Sequence, residues 1–419
     1  MVFWALITGL PVLGLIWCGW AFFKAGTLPR AWMWRLGVAA FAGVNVGGFL
    51  WLIVARRSDY SDYPPLLIVM GASIWHLFVL PITVVMTVGI AAPLWLRARV
   101  RRGAKVVAGT AVANHVASKE PEPDTALMSR RQFLVASAVA GPPLMTGVAI
   151  IRGAQQIDNF RIREIDVPLA TLPKGLDGMT IAHITDTHVG RYTSPALLAA
   201  VVERTNKLRC DMVAFTGDLI DFSLKDLPLA LDMLKGLDAE MGVWLCEGNH
   251  DLFASREAYY RGCVDAGVNL LVDHSRVLRY RGMPFNVMGM GWGSDADRRN
   301  PRLSEHFAKT DARRERGLFS IMLAHHPHSF ELAAPAGVEL TLAGHTHGGQ
   351  WMLTEGLGAG PLAYRYWSGL YQRALGGPGN ATVGGGAMAA SVVSNGVGNW
   401  FPLRINAPAE IVKITLRRV

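Results

Sequence analysis

Cysteine is scarce in this chain of 419 residues, which has four: Cys18, Cys210, Cys246 and Cys263. They show no Cys-x-x-Cys spacing, so we expect neither a disulfide framework nor a zinc site built on cysteine. Charge is also scarce, because 17% of the residues are charged whereas 51% are hydrophobic. A composition this apolar is unusual for a purely soluble protein.

Most of the chain also lacks a basic excess. Residues 1–151 contain 13 Lys and Arg against 5 Asp and Glu, whereas residues 152–419 contain 28 against 27. The second segment therefore lacks the positive field that attracts nucleic acid, and we expect no nucleic-acid partner. The basic excess of the first segment instead fits the positive-inside rule, by which Lys and Arg residues mark the cytoplasmic ends of membrane helices.

Long apolar runs organise this first segment. Three of them, at about 2–23, 36–55 and 65–96, are each long enough to cross a bilayer. We therefore assign residues 1–96 to three transmembrane helices. Residues 97–127 contain the polar, proline-containing stretch SKEPEPDT and are assigned to a cytoplasmic linker.

A fourth apolar run, at 128–151, contains Arg130 and Arg131 near its start. The arginine pair resembles a twin-arginine export signal, although such signals usually begin a chain. Alternatively, the pair anchors the inner end of a fourth transmembrane helix. Under either interpretation, residues 152–419 face the periplasm or cell exterior, attached to the bacterial cytoplasmic membrane.

Residues 152–419 alternate short apolar runs with helix-like stretches. The runs include MTIAHITD at 179–186, MVAFTGD at 212–218 and GVWLCEGNHD at 242–251, and helical patterns at 194–208 and 224–236 lie between them. Apolar runs that alternate with helices are typical of an α/β domain with buried sheets.

Polar side chains follow these apolar runs. Ligands bind outside the carboxyl ends of strands in α/β sheets, so these side chains are candidate ligands. Any one of them could instead cap a helix or form a turn. Their oxygen and nitrogen atoms suit Mn, Fe or Zn, so the set predicts a site for two divalent metal ions. The candidates are Asp186, His188, Asp218, Asn249, His250, Asp251, His325, His345 and His347.

The order of the motifs DTH, GD, GNHD, AHH and GHTH, over residues 186–347, resembles that of the calcineurin-like metallophosphoesterase superfamily. The later stretches AGHTHGGQ, YWSGLY and SNGVGNWFPLRINAPAEI are similar to its membrane-associated bacterial phosphodiesterase branch, typified by YaeI and YkuE. The resemblance covers about 160–419. It implies an α/β fold, a four-layer αββα sandwich over 152–419, preceded here by the α-helical transmembrane region.

The resemblance also implies a role for each candidate. Asp186, His188 and His347 would hold one metal ion, and Asn249, His325 and His345 would hold the other. His325 is preferred to His326 because the branch pattern is His-x-Pro. Asp218 would bridge both ions. His250 would protonate or stabilise the leaving oxygen, and Asp251 would orient His250.

The implied activity is hydrolysis of a phosphate ester, preferably a diester, by a metal-bound hydroxide. The expected partners are the bilayer and a phosphate-ester substrate, such as a lipid or another envelope component; the sequence assigns no oligomeric state. The alternative is a membrane sensor or accessory protein whose phosphoesterase-like domain only binds its ligand. The complete set of metal ligands, together with His250, favours the enzyme.

Overall fold

The computed structural model describes residues 2–55, 64–89, 128–293, 301–354, 356–376 and 387–419, and the side chains of these residues except 2–8 and 301. The chain divides into two compact units, Met1–Ile151 and Arg152–Val419. The predicted linker 97–127 and the last part of the third predicted span, 90–96, lie outside the described residues.

The first unit is built from apolar helices. Three helices of the described chain are long and apolar enough to cross a membrane: Ala31–Ala55, Leu66–Gly89 and Arg130–Gln156. Another helix covers Val2–Ala25, of which Gly9–Ala25 is a shorter apolar segment. The helices overlap the four predicted spans, although the second begins at Ala31, five residues before the predicted start.

The second unit contains fourteen described strands and several helices. The strands are β1 Phe160–Leu169, β2 Thr180–Ile184, β3 Met212–Thr216, β4 Val243–Cys246, β5 Asn269–Leu270, β6 His274–Tyr280, β7 Met283–Gly289, β8 Ser320–Leu323, β9 Leu340–Ala343, β10 Met352–Thr354, β11 Leu357–Gly358, β12 Gly369–Ala374, β13 Met388–Val393 and β14 Ala409–Arg418. The α-helices are Pro195–Lys207, Leu227–Lys235, Arg256–Asp265, Pro301–Asp311, Phe330–Ala333 and Ala359–Ala363.

The strands form two six-stranded sheets and one small hairpin. The first sheet has the order β1-β14-β2-β3-β4-β5, and the second has the order β12-β13-β9-β8-β7-β6. Strands β2 to β5 run parallel to one another, and so do β7, β8, β9 and β13. The carboxyl ends of these strands therefore lie at one edge of each sheet, where ligands bind in α/β folds.

The two sheets pack face to face, with helices on their outer faces. Ile181 and Met212 of the first sheet share a buried core with Ile321 and Leu340 of the second. Side chains on alternate positions, such as Phe215, face the outer core with the helices Pro195–Lys207 and Leu227–Lys235. The helix Pro301–Asp311 and the short helix Phe330–Ala333 contribute to clusters on the outer face of the second sheet. The unit is thus a four-layer αββα sandwich, which confirms the predicted fold class.

Serine side chains start two of the helices on the first sheet. The hydroxyl of Ser194 accepts a hydrogen bond from the Leu197 amide (3.1 Å), and Pro195 occupies the first helical position. The hydroxyl of Ser255 accepts one from the Ala258 amide (3.3 Å). These caps satisfy amide groups that have no partner within a helix.

One partly buried carboxyl group, next to the start of β9, contacts β8 and makes stability depend on pH. Glu339 accepts a hydrogen bond from the Ser320 amide (2.9 Å), and burial raises its pKa from 4.5 to about 7. Between these two values the native state binds a proton that the unfolded state has lost. The contribution of Glu339 to stability is therefore lost as pH rises through that window.

We expect Glu339→Gln to weaken this dependence, because glutamine keeps an oxygen acceptor and carries no charge. Between pH 5 and pH 8 the unaltered protein should lose about 1–2 kcal/mol more unfolding free energy than the variant. Chemical denaturation at the two pH values measures the difference. If unfolding free energy depends on pH equally in the two proteins, Glu339 does not bind the extra proton of the native state.

Candidate metal centre

Seven predicted metal ligands lie just beyond the carboxyl ends of five parallel strands. Strands β2, β3 and β4 belong to the first sheet, and β8 and β9 to the second, so the site lies where the strand ends of both sheets meet. The ligands are Asp186 and His188 after β2, Asp218 after β3, Asn249 after β4, His325 after β8, and His345 and His347 after β9.

The first cluster of donors consists of Asp186, His188 and His347, all buried. The Nε2 atoms of His188 and His347 are 3.0 Å apart. His347 Nε2 lies 3.1 Å from Asp186 Oδ1, and His188 Nε2 lies 3.7 Å from the same oxygen. Three donor atoms so close together can share one cation.

The second cluster consists of Asp218, His325 and His345. His325 Nε2 lies 3.0 Å from Asp218 Oδ2 and 3.2 Å from His345 Nδ1. Asp218 Oδ2 is also 3.5 Å from His188 Nε2, so this carboxylate reaches both clusters. His345 and His347 come from one loop but belong to different clusters, as the resemblance implies.

Asn249 supplies an independent test of whether a metal ion fits. Its side-chain Oδ1 is a buried oxygen atom that has no hydrogen-bond partner among the described residues. A buried polar atom without a partner is costly, and an amide oxygen is a common ligand of hard cations. The residues therefore fit two divalent ions, whose identity stays open among Mn, Fe and Zn.

The backbone at the site is strained. Five of the seven ligands have a positive φ, a conformation that is uncommon for residues other than glycine. Such strain persists where the surrounding structure fixes the chain, and it clusters at functional sites. The φ values are 55° for Asp186, 43° for His188, 53° for Asp218, 70° for His345 and 50° for His347.

Two glycines let neighbouring loops approach the carboxylates. A Cβ atom on Gly248 would lie 2.1 Å from Asp218 Oδ1, and one on Gly344 would lie 2.2 Å from Asp186 Oδ2. No side chain fits at either distance. The GN and GH pairs of the sequence motifs therefore reflect close packing against the two carboxylates.

The two carboxylates are held ionised. Burial by itself raises the pKa of Asp186, but His347 and His325 outweigh it and hold that pKa well below its usual range. Burial also opposes ionisation of Asp218, and His325 and His250 outweigh it there. Burial lowers the pKa of His347 to about 3, so that ring is neutral. At His188 and His325 burial is outweighed by nearby carboxylates, which raise the pKa values to about 10 and about 9, so a bound metal ion would displace a proton from each of these two rings. Ionised carboxylates and a neutral imidazole are the forms that bind metal ions.

His250 is held beside the first cluster by Asp221. Its Nδ1 atom donates to the Asp221 carbonyl oxygen (2.6 Å) and lies 3.1 Å from Asp221 Oδ1. The same carboxylate oxygen lies 3.3 Å from His188 Nδ1. With Nδ1 occupied by these oxygens, the proton that His250 can exchange is on Nε2.

The prediction that Asp251 orients His250 is wrong. The Asp251 carboxylate is fully buried and accepts hydrogen bonds from four backbone amides, whereas His250 Nδ1 contacts Asp221. The donors are Leu219 (2.8 Å) and Ile220 (3.1 Å) to Oδ1, and Gly248 (2.8 Å) and Asp218 (3.0 Å) to Oδ2. Asp251 therefore ties the loop after β3 to the loop after β4, and Asp221 has the role predicted for Asp251.

Residues 179–349 match the family described as calcineurin-like phosphoesterase, and this segment includes every predicted ligand. The chain contains a calcineurin-like metallophosphoesterase domain. The resemblance seen in the motifs is thereby confirmed.

Relatives of the metallophosphoesterase domain occur in bacteria and animals. YkuE of Bacillus subtilis, an uncharacterized metallophosphoesterase, is 28% identical over 69% of this chain and 98% of its own length. The uncharacterized metallophosphoesterase Cj0846 of Campylobacter jejuni is 30% identical over 61% of this chain and 63% of its own. A transmembrane protein with metallophosphoesterase domain from Danio rerio is 26% identical over 72% of this chain and 66% of its own length. The chain thus spans slightly less than two thirds of the last two relatives.

The resemblance implies no role for Arg404, a fully buried arginine of the second unit that lies within the stretch SNGVGNWFPLRINAPAEI. Its Nη2 atom donates to His347 Nδ1 (3.1 Å), which fixes the ring with Nε2 toward Asp186. Its other hydrogen bonds bind the last loop of the domain together. Their acceptors are the carbonyl oxygens of Asn395, Gly396, Gly398 and Ala407 and the side-chain oxygen of Asn399.

Proposed function

We propose that this protein is a membrane-anchored phosphoesterase that uses two divalent metal ions to hydrolyse phosphodiesters. The observation that carries the proposal is the position of Asp218, whose carboxylate reaches both clusters of metal ligands. Two bound cations would supply Lewis acidity to a phosphate ester and to the attacking water. A complete set of ligands for both ions is what a hydrolase needs and a simple binding domain does not.

His250 acts on the leaving group in this proposal. Its ring contacts the His188 ring, with centroids 4.5 Å apart, and it is partly exposed, so a substrate at the metal centre can reach Nε2. A proton on Nε2 can pass to the leaving oxygen, while the Asp221 carboxylate stabilises the positive charge of the protonated ring.

The proposed location is the outer face of the bacterial cytoplasmic membrane. The apolar helix Arg130–Gln156 starts with two arginines, which favour the cytoplasmic side, and β1 begins at Phe160. Only residues 157–159 separate that helix from the domain. A domain joined to a membrane helix by so short a segment would meet lipids and other envelope phosphodiesters, which we propose as the substrate class.

Hydrolysis of bis-p-nitrophenyl phosphate by the full chain in detergent tests the proposal. Turnover that requires Mn²⁺ and stops with a chelator would support the enzyme. Two bound metal ions without turnover of this substrate or of any lipid phosphodiester would favour the alternative, a sensor that only binds. A protein that binds no divalent metal would reject the proposed metal centre.

We expect His250→Ala to lower turnover of an alkyl phosphodiester by a factor of about 10² to 10⁴ without loss of metal. An alkoxide leaving group needs the proton, whereas p-nitrophenolate departs without it. The loss on bis-p-nitrophenyl phosphate should therefore be much smaller. Steady-state kinetics on both substrates, with metal content by mass spectrometry, checks this, and an equal loss on both would argue against proton donation.

A further inference from the structure

The two sides of the metal centre differ in chemistry. Three aromatic side chains, Phe222, Phe253 and Trp400, lie on the side of His250 and are here called the aromatic rim. Their exposed fractions are 53%, 50% and 42%, which are high for such large apolar groups. Exposed apolar side chains that form one contiguous patch commonly mark a binding surface.

The aromatic rim is continuous with His250. The Phe253 ring centroid lies 4.6 Å from that of His250 and 5.6 Å from that of Phe222. The Trp400 centroid lies 6.2 Å from that of His250. The three residues come from three separate loops, so the fold brings them together around the proposed proton donor.

The opposite side, next to His345, is lined by polar rings and by Trp292, a partly buried ring whose centroid lies 4.9 Å from that of His345. The His326 ring stacks on His345 with centroids 5.2 Å apart, and the Tyr364 hydroxyl lies 3.3 Å from His345 Nε2. His328 adds a further imidazole, 5.0 Å from that of His326. A phosphodiester bound across the centre would thus meet three exposed apolar rings at one ester arm, and polar rings with one partly buried tryptophan at the other.

We propose that the aromatic rim binds an apolar alkyl or acyl-bearing leaving group, so that the apolar alcohol departs and the phosphate stays on the polar arm. This inference rests on the proposed function, because His250 marks the side of the leaving oxygen. The balanced charge of residues 152–419 favours a lipid-like arm over a nucleotide, although aromatic rings can stack on either.

The reaction is balanced with water as the co-reactant. A hydroxide oxygen forms a bond to phosphorus, and the bond from phosphorus to the rim-side oxygen breaks. That oxygen takes a proton from His250 Nε2 and leaves as the apolar alcohol, and His250 regains a proton from solvent. A phosphomonoester of the polar alcohol remains.

Binding and cleavage are tested separately on the full chain in phosphatidylcholine nanodiscs loaded with Mn²⁺. Calorimetry measures the affinity for ethyl-, butyl- and hexylphosphonate, which cannot be hydrolysed. We expect about tenfold tighter binding of hexyl- than of ethylphosphonate, since the rim buries part of each added methylene group. Phe222→Ser should remove most of that difference, because Phe222 is the most exposed of the three rim side chains.

Val277→Ser is the matched control, because Val277 is 42% exposed and lies on β6, the outermost strand of the second sheet. The Val277→Ser variant should keep the full dependence of phosphonate affinity on the length of the alkyl chain. Equal affinities for the three phosphonates in the unaltered protein would overturn the proposal that the aromatic rim binds the alkyl group. So would a nucleoside monophosphate that binds as tightly as hexylphosphonate and is weakened equally by Phe222→Ser.

The hydrolysis products of hexyl glycerol phosphate then show which of its two ester bonds to phosphorus breaks. Hexanol with glycerol phosphate is expected, whereas hexyl phosphate with glycerol would overturn the assignment of the leaving group. A dependence of binding on chain length that Phe222→Ser removes, without turnover of any diester, would keep the aromatic rim as a binding surface and reject the hydrolase. Failure of the two proposals is therefore distinguishable.

Discussion

Asp218→Asn is expected to abolish binding of both metal ions and to lower turnover by at least about a thousandfold, the effect of several kcal/mol of lost charge stabilisation. The side chain keeps its size, so the fold should persist. What disappears is the negative charge between His188 and His325, which lie 3.5 Å and 3.0 Å from Asp218 Oδ2. Without that charge, two adjacent cations would repel each other across a neutral amide.

The measurement is metal content by mass spectrometry after dialysis, together with calorimetric titration of Mn²⁺ into the full chain. Asp166→Asn is the control, because Asp166 pairs with Arg417 on the exposed part of the domain (3.1 Å) and should not affect metal binding. Full occupancy of both metal sites in Asp218→Asn would show that this carboxylate is not shared between the ions. Loss of one ion alone would assign Asp218 to a single cluster.

The positions of the candidate metal ligands could be predicted because local sequence determines them. Each ligand follows a short apolar strand by two to four residues, and parallel strands place their carboxyl ends at one edge of a sheet. The fold followed from the same alternation of apolar runs and helices. The sequence could not predict the directions of the His345 and His347 side chains within their loop, since residues two apart share a direction only in a strand.

The partner of His250 could not be predicted from proximity in the sequence. Asp251 is the next residue, but within a turn of 3₁₀-helix neighbouring side chains point in different directions, and its carboxylate binds backbone amides instead. Asp221 reaches His250 from the loop after β3, a contact that exists only in the folded chain. Its spacing in GDLID, three residues after Asp218, was the available signal.

Arg404 shows the same limitation, because 57 residues separate it from His347 and no local pattern joins them. Burial lowers its pKa to about 10, so the guanidinium stays charged at neutral pH. Unlike Arg161 and Arg163, which pair with Glu410, it forms no carboxylate pair among the described residues. Its hydrogen bonds go to backbone and amide oxygens of the last loop and to a metal ligand.

Arg404→Met is expected to destabilise the domain by about 3–5 kcal/mol, because it leaves several buried acceptors without a donor. It should also weaken metal binding, because the His347 ring and the last loop lose the side chain that holds them in place. Unfolding by denaturant and titration with Mn²⁺ measure the two effects on the full chain.

Two further variants separate the role of charge from that of shape. Arg404→Lys keeps the charge but lacks the planar set of donors that binds oxygens in several directions, so it should recover only part of each loss. Arg417→Met removes an exposed arginine and should change neither quantity by more than about 0.5 kcal/mol. If Arg404→Met lowers stability but leaves Mn²⁺ affinity unchanged, Arg404 holds only the loop. If both fall together and lysine restores part of each, the guanidinium couples folding of the last loop to the geometry of the metal centre.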